Sequence, residues 1–367
     1  MKITRIETHT RNPLSFVKVF ADDGAEGIGQ IAPYNADIAA TVLHRQVAGH
    51  FLGRDPGELE ALCDRVIDAN LKFPWSYVCR ALGGIDTAVW DLRGKRAGKS
   101  VCELLGGTPR AFPVYGSSMS RRIAPNDEAA RVSRLAQENG FGAFKIRVGQ
   151  TAGHDLDAWP GRTEALVPAV RAALADDVRL LVDANSCYTP RKAIEVGRML
   201  VDNGVCHFEE PCPWWELEWT AQVTAARLGL DITGGEQDVD LAQWRRMIGM
   251  HAVDIVQPDI CYVGGLTRAL AVARMAHEAG MRCIPHSANL SLVTVFSAHM
   301  MGAIPNAGPY VEYSIEDVPW TNGLFEPALD VHDGCLTIPN GPGWGVKIDP
   351  AWFDGAEVQV SSLDDRA

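Results

Sequence analysis

The sequence predicts an α/β protein in which a closed barrel of parallel strands follows a smaller α+β unit. Three observations predict it. From Phe112 onward, eight short apolar runs alternate with amphipathic segments of helical period. Before Phe112 the order is strands first and helices afterwards. Polar residues also recur at the ends of the later runs, one strand-plus-helix unit apart.

The elements follow in order. KITRIETHT alternates, FVKVFADDG continues the pattern, and Asp23-Gly24 is a turn signal between strands. Gly27-Ile28-Gly29-Gln30 then leads into a loop, IAPYNAD. Helical patterns occupy DIAATVLHRQVAGHFL, ELEALCDRVIDANL and CRALGGIDTAVWDLRGKRAG. Residues 1–111 form this first unit. The strand candidates after it are PVYGSS, GAFKIRV, VRLLVDAN, VCHFEEP, LDITGGEQ, AVDIVQPD, MRCIPHS and PYVEYS. Helices between them include DEAARVSRLAQENG and LTRALAVARMAHEAG, and Gly140, Gly204 and Gly280 suit helix C-termini. Eight strands in strict alternation with helices match the closed-barrel number. The barrel spans 112–315. Residues 316–367 are Gly/Pro-rich, cannot form a domain alone, and are expected to return to the first unit.

Composition narrows the function. The chain has 367 residues, 47% of them apolar, enough for one large core and a satellite domain. Its formal charge is −12 and no Lys/Arg cluster makes a basic stripe, which argues against nucleic acid as a partner. An anionic substrate must then be caught by local positive charge. No apolar run reaches the roughly 18 residues that a membrane span needs. The start, MKITRIETHT, lacks an apolar signal core, and nine cysteines stand singly with no CxxC. A cytoplasmic protein with reduced thiols is expected.

Active sites of closed parallel barrels form at the carboxyl ends of the strands. Those ends carry Lys145-Ile146-Arg147, Asp183-Ala184-Asn185, Glu209-Glu210-Pro211, Glu236-Gln237, Gln257-Pro258-Asp259, His286 and Glu312. From Asp183 to Glu312 the steps between successive strand ends are nearly even, each one strand-plus-helix unit. The side chains therefore converge on one mouth. Lys145 and Arg147 face one side of their strand, as do Asp183 and Asn185. Asp183, Glu209 and Glu236, from adjacent strands, make an all-oxygen set suited to a hard cation such as Mg²⁺. A lone acidic residue is better read as a cap or an arginine partner. Three at one height in consecutive units are better read as a metal site.

The order KIR, VDAN, FEEP, GGEQ, QPD, PHSAN and VEY closely resembles the mandelate racemase subgroup of the enolase superfamily, over nearly the whole chain. No lysine follows strand six, in DIVQPDICYVGG, which separates it from the muconate-lactonising subgroup. The resemblance implies a (β/α)7β modified TIM barrel with an α+β capping domain. It implies Mg²⁺ on Asp183, Glu209 and Glu236, with Glu210 pointing out of the mouth or bracing a ligand. It also implies an Asp259–His286 acid/base dyad, with Glu312 bonding the substrate carboxylate or donating to it when protonated. The chemistry would be removal of the proton beside a carboxylate, giving an enediolate.

One position departs from the subgroup's common Lys-x-Lys. Arg147 replaces the second lysine, and arginine is a poor general base. With His286 the one obvious neutral base, unless Lys145 takes that part, the expectation shifts from racemisation to dehydration of an acid sugar. A racemase, epimerase or cycloisomerase is the alternative, and an acid-sugar-binding protein without turnover is a third. Candidate substrate contacts are Asn185, then Tyr34 and Asn35 in the first capping loop, and Trp75 in the stretch around Lys72 to Trp75. Trp214, Trp215 and the excursion QTAGHDLDAWPG could wall the pocket or be plain surface, and Gly264-Gly265 reads as a turn. A homo-oligomer is expected by resemblance.

Overall fold

The computed structural model describes residues 1–73 and 75–364, so Pro74, inside one candidate capping loop, lies outside the described residues. The chain opens with an antiparallel meander of β1 (Ile3–Arg11), β2 (Leu14–Ala21) and β3 (Glu26–Ile31). β3 takes in the Gly27–Gln30 segment that leads into the loop. Packing accounts for its glycines. A Cβ on Gly29 would lie 2.4 Å from both Ala88 N and Gly84 O of the 22-residue helix Ser76–Ala97. The glycine lets helix and sheet backbones touch. That helix is buried along most of its length, so its apolar residues form no single stripe.

The barrel strands are β4 (Ala111–Ser117), β5 (Ala143–Arg147), β6 (Arg179–Asp183), β7 (Val205–Glu209), β8 (Asp231–Gly234), β9 (Ile255–Val256), β10 (Arg282–Cys283) and β11 (Val311–Ser314). Neighbours from β4 to β10 pair in parallel, and β11 pairs in parallel with β4. A parallel bridge between Cys283 and Ala307 closes the circle. A helix follows each of the first seven strands, whereas β11 runs straight into the tail, so the architecture is (β/α)7β. One of the seven, Leu292–Met301, is buried at all ten positions, so it carries no amphipathic stripe.

The tail divides. β12 (Phe325–Glu326) pairs with β15 (Lys347–Ile348). The hairpin of β13 (Val331–His332) and β14 (Cys335–Thr337) adds antiparallel to the start of β4. β16 (Glu357–Ser362) pairs antiparallel with β1. The tail therefore serves both units: part of it extends the barrel's first strand and part extends the capping sheet. Trp344 ties it further to the long capping helix, donating from Nε1 to the Thr87 carbonyl at 3.0 Å.

Two contacts seat the cap on the barrel mouth. Buried Gln30, at the end of β3, donates to Ser291 Oγ at 2.8 Å and accepts from the Leu292 amide at 3.0 Å. Asp86 of the long capping helix accepts from the Thr267 amide at 3.2 Å. Beside it, Gly265 has φ 106° and space for no side chain, since a Cβ would meet Asp86 Cγ at 2.3 Å. The glycine pair is thus a tight turn under the cap.

Candidate active site

Parallel pairing aligns the strand-end residues. Arg147 on β5, Asp183 on β6 and Glu209 on β7 are register partners across three strands. Asp259 and His286 form a parallel bridge one unit apart. Glu236 lies just past β8, after Gly234 and Gly235. All of these side chains, with Lys145, Glu210 and Glu312, are buried.

Cations and carboxylates interleave. Lys145 Nζ donates to both Glu209 oxygens at 2.8 Å and lies 2.8 Å from Glu312 Oε1 and 3.8 Å from Asp183 Oδ2. Burial alone would lower the Lys145 pKa, but Glu209 and Glu312 hold it well above the ordinary lysine range. Burial likewise opposes charge on Glu209, yet Lys145 keeps it ionised, well below the usual carboxylate range. Arg147 donates to Asp183 Oδ2 and Asn185 Oδ1, and the Asn185 amide donates to Asp183 Oδ1 at 2.7 Å. Desolvation nonetheless pushes the Asp183 pKa up. Lone buried charges would cost several kcal/mol each, so this mutual pairing is what permits them.

Glu312 differs from the expectation of a protonated donor. Its Oε1 accepts from Ser117 Oγ at 2.8 Å and its Oε2 from the Ser287 amide at 2.7 Å. Burial works against its charge, but Lys145 and His286 bring the pKa down to about 2. In this arrangement it is an ionised partner of Lys145 and has no proton to give.

His286 Nδ1 lies 2.8 Å from Asp259 Oδ2. Asp259 is itself held by the amides of Cys261 and Tyr262, which donate to its Oδ1 at 2.7 and 3.0 Å. The other ring nitrogen, Nε2, lies 3.1 Å from Glu236 Oε2 without hydrogen-bond alignment. Burial favours the neutral ring, but Glu236, Asp259 and Glu312 together hold the pKa up at about 10. The Glu236 charge is the first of the influences that raise it, so a cation that engaged Glu236 would weaken the ring's hold on its proton.

Among the described residues, no three acidic, histidine or cysteine side chains converge as a ready metal cluster. The reason is that each expected ligand already faces a cation: Asp183 faces Arg147, Glu209 faces Lys145 and Glu236 faces His286. The donor chemistry still fits a hard cation. Glu236 Oε2 is buried with no hydrogen bond, and burial raises the pKa of both Asp183 and Glu236. Glu210 does not point out of the mouth. It is buried at φ 40°, its Oε1 lacks a partner among the described residues, and desolvation followed by Glu236 pushes its pKa well up. A divalent cation would relieve this carboxylate crowding.

The capping candidates are more remote. Tyr34 is 58% exposed, Asn35 donates to Tyr77 Oη at 3.1 Å, and Trp75 Nε1 donates to the Asn70 carbonyl at 3.2 Å. None hydrogen-bonds a strand-end residue among the described residues. Trp214 and Trp215 meet edge to face, half exposed. The excursion after Arg147 packs on the loop beyond β6, where the Ala152 amide donates to the Asn185 carbonyl at 2.9 Å.

Two supports had no role assigned from the sequence. Gln257, at the end of its strand, donates from Nε2 to Glu209 Oε2 at 2.9 Å, and His207 lies 3.4 Å from the same oxygen and 2.8 Å from Thr233 Oγ1. His207 had a signal, since it lies two residues before Glu209 on the same strand face.

Known proteins resemble this chain over nearly its whole length. Residues 2–106 match the mandelate racemase/muconate lactonizing enzyme N-terminal domain, and residues 127–352 match the enolase C-terminal domain-like family. D-galactarolactone cycloisomerase of Agrobacterium fabrum is 30% identical, over 95% of this chain and 97% of its own. Arabinonate dehydratase of Saccharolobus solfataricus is 28% identical, over 94% and 91%. A solved structure from Roseobacter denitrificans with a provisional racemase name is 55% identical, with TM-score 0.97 over 99% of this chain and 100% of that one. L-talarate dehydratase from Polaromonas sp. JS666, solved with Mg and L-glucarate, is 26% identical, with TM-score 0.86 over 99% of both chains.

Proposed function

The chain belongs to the mandelate racemase/muconate lactonizing enzyme family, and on that premise we propose that it is a magnesium-dependent lyase that dehydrates an acid sugar. The observation that supports the reading is the single Asp259–His286 dyad, with Arg147 standing where a second base would be, since an arginine is a poor general base. Lys145 is held as an ammonium by two carboxylates, and Arg147 is held above the ordinary arginine range by Asp183.

Asp183, Glu209 and Glu236 would hold Mg²⁺, which when bound supplies Lewis-acid stabilisation of negative charge on the substrate carboxylate. The chain's own groups do the rest. His286 takes the proton from the α-carbon, and the C–H electron pair moves into the carboxylate as an enediolate. Asp259 keeps the ring in register and stabilises the imidazolium. Lys145 and Arg147 place fixed positive charge by the developing anion, in a buried setting where such charge is most effective. The enediolate then expels the β-hydroxyl as His286 returns its proton, giving water and an enol that becomes a 2-keto-3-deoxy acid. Glu312 anchors Lys145, and Asn185 is available to substrate hydroxyls.

The test is α-proton exchange in D₂O, with 2-keto acid formation, across a library of sugar acids with and without Mg²⁺. Keto acid appearing with exchange supports dehydration. Exchange with inversion and no loss of water overturns it in favour of racemisation, the reading favoured by the provisional name of the 55%-identical structure. Ring opening of a sugar-acid lactone without water loss would indicate cycloisomerisation, and binding without exchange would indicate a non-catalytic sensor. We also propose a homo-oligomer on family resemblance, to be measured by light scattering.

A further inference from the structure

The long capping helix Ser76–Ala97 lies along the segment that follows Asp259. The Arg80 guanidinium stacks over the Tyr262 ring, 3.7 Å from its centroid. One turn on, Gly83 lets backbones approach: a Cβ there would lie 3.1 Å from the Cys261 carbonyl oxygen. Another turn on, buried Asp86 accepts from the Thr267 amide at 3.2 Å. Trp90 Nε1 then donates to Thr267 Oγ1 at 3.0 Å. One side of the helix thus tracks residues 261–267.

The far end of that segment lacks constraints of its own. Helix Leu266–Glu278 begins after Gly265, which has no side chain to cap it. Gly264 and Gly265 have φ 107° and 106°, and glycine has more backbone freedom to lose than any other residue. Asp86 supplies both missing constraints from the capping unit. Its carboxylate takes an amide that a helix N-cap would take. Its side chain also lies so close against Gly265 that a Cβ there would meet Asp86 Oδ1 and Cγ at 2.3 Å. Burial raises the Asp86 pKa to about 6, and donation from the Thr267 hydroxyl and from the Thr267 and Leu266 amides keeps it from rising further. It is therefore an anion at neutral pH, the charge that the positive end of a helix favours.

The constraint reaches the dyad through a few hydrogen bonds. The Gly265 amide donates to the Ile260 carbonyl at 2.9 Å, and the Val263 amide to the Asp259 carbonyl at 2.9 Å. The same short turn presents the Cys261 and Tyr262 amides to Asp259 Oδ1 at 2.7 and 3.0 Å. Asp259 Oδ2 is left for His286 Nδ1. The segment is thus held at both ends by carboxylates, Asp259 in the barrel and Asp86 from the cap. Once the glycine pair is free to change its angles, the amides that aim Asp259 move with it.

We propose that Asp86 is a positioning residue for the reaction, acting through the Gly264–Thr267 turn to hold Asp259, and hence the His286 ring, in register. The inference rests on the Asp259–His286 dyad of the reading above and adds to it a residue of the capping unit.

The experiment is a double-mutant cycle of Asp86→Ala and Asp259→Asn in the Mg²⁺-loaded full chain. It reads kcat and KM for α-proton exchange in D₂O, with galactonate and galactarate as substrates. A misplacement of about 1 Å can cost about 100-fold in rate. We expect Asp86→Ala to lower kcat about 10- to 100-fold, with KM within about twofold of native. Asp86→Asn keeps an acceptor for the Thr267 amide and should retain most of the native rate. With Asp259→Asn already present, Asp86→Ala should cost less than about threefold more, because the dyad it seats is gone. Equal losses in the two backgrounds overturn the proposal and leave Asp86 a structural contact only. So does a loss carried by KM, or Asp86→Asn as slow as Asp86→Ala. If Asp86→Ala does not fold, Asp86→Ser takes its place under the same criteria. If neither acid exchanges its α-proton in the native enzyme, the dehydration reading fails for these acids, and amide hydrogen exchange tests Asp86 instead. Faster exchange at Cys261 and Tyr262 in Asp86→Ala, with helix Arg162–Ala173 unchanged, supports the proposal. Unchanged exchange at those amides, or equal acceleration in both regions, refutes it.

Discussion

Replacing Asp259 with asparagine changes one atom, and the structure dictates which way the new amide faces. Asp259 Oδ1 accepts two backbone amides, Cys261 at 2.7 Å and Tyr262 at 3.0 Å. An asparagine must keep its oxygen there. The reverse orientation would bury an NH₂ group against two donors and leave them unpaired, at about 1–3 kcal/mol each. Its NH₂ therefore faces His286 Nδ1, 2.8 Å away, where the carboxylate oxygen stood. Nδ1 must then accept, which puts the ring proton on Nε2, the nitrogen that has to take the substrate proton. The dyad is reversed while both caps survive, so the fold should stay intact. General acid/base catalysis contributes roughly 10²–10⁴-fold, and a wrong-tautomer substitution in a hydrolase triad costs about 10⁴-fold. We expect α-proton exchange in D₂O, followed by NMR with saturating Mg²⁺ and substrate, to fall about 10³-fold or more, with KM changed little. An exchange rate within tenfold of native would refute the dyad.

Other outcomes follow from the same contacts. Lys145→Met leaves Glu209 and Glu312 buried without their cation and should cost about 3–5 kcal/mol in urea denaturation; an unchanged midpoint would contradict the pairing. Chelation should abolish exchange and Mg²⁺ restore it, and Glu236→Gln should raise the Mg²⁺ concentration needed; equal Mg²⁺ titrations would remove Glu236 from the ligand set. Gly29→Val forces a side chain into the contact with Ala88 and Gly84 and should destabilise by about 1–3 kcal/mol or more, read as a lower melting temperature. His299 gives a pH dependence. Its Nδ1 accepts from the Cys102 amide and its Nε2 donates to the Trp344 carbonyl, both at 3.0 Å, and burial lowers its pKa from 6.5 to about 4. The unfolded chain takes up that proton first, so stability is full above pH 6.5 and falls as pH drops toward about 4, by about 3 kcal/mol. Buried Asp86, raised by desolvation to about 6, works in the opposite direction, so the comparison is with His299→Gln, whose acid-side loss should be smaller by that amount. Parallel losses would refute it.

The order and chemistry of the strand ends were set by the sequence alone. Each barrel unit repeats at a nearly constant length, and its pattern is local: an apolar strand, a polar end, then an amphipathic helix. Local patterns can be read without knowing what packs against them, so Asp183, Glu209, Glu236, Asp259, His286 and Glu312 were identifiable as one row. Elements whose reason lies elsewhere could not be read this way. Gly27 and Gly29 have no reason in the local pattern, and it appears only when the capping helix is laid on them. Helix Leu292–Met301 is buried all round, Thr294, Ser297 and His299 included, because barrel and cap enclose it. The ionised state of Glu312 depends on Lys145, from the other end of the barrel sequence, and the cation on each carboxylate depends on how the strands close. Arg80 and Tyr262 are farther apart still in the chain, and meet only because the first turns of the capping helix pack on the segment after Asp259. The sequence thus determined which reactive groups the site contains. Only the tertiary structure decided which charges neutralise one another and how the cap seats on the barrel, because both depend on long-range packing that no local period encodes.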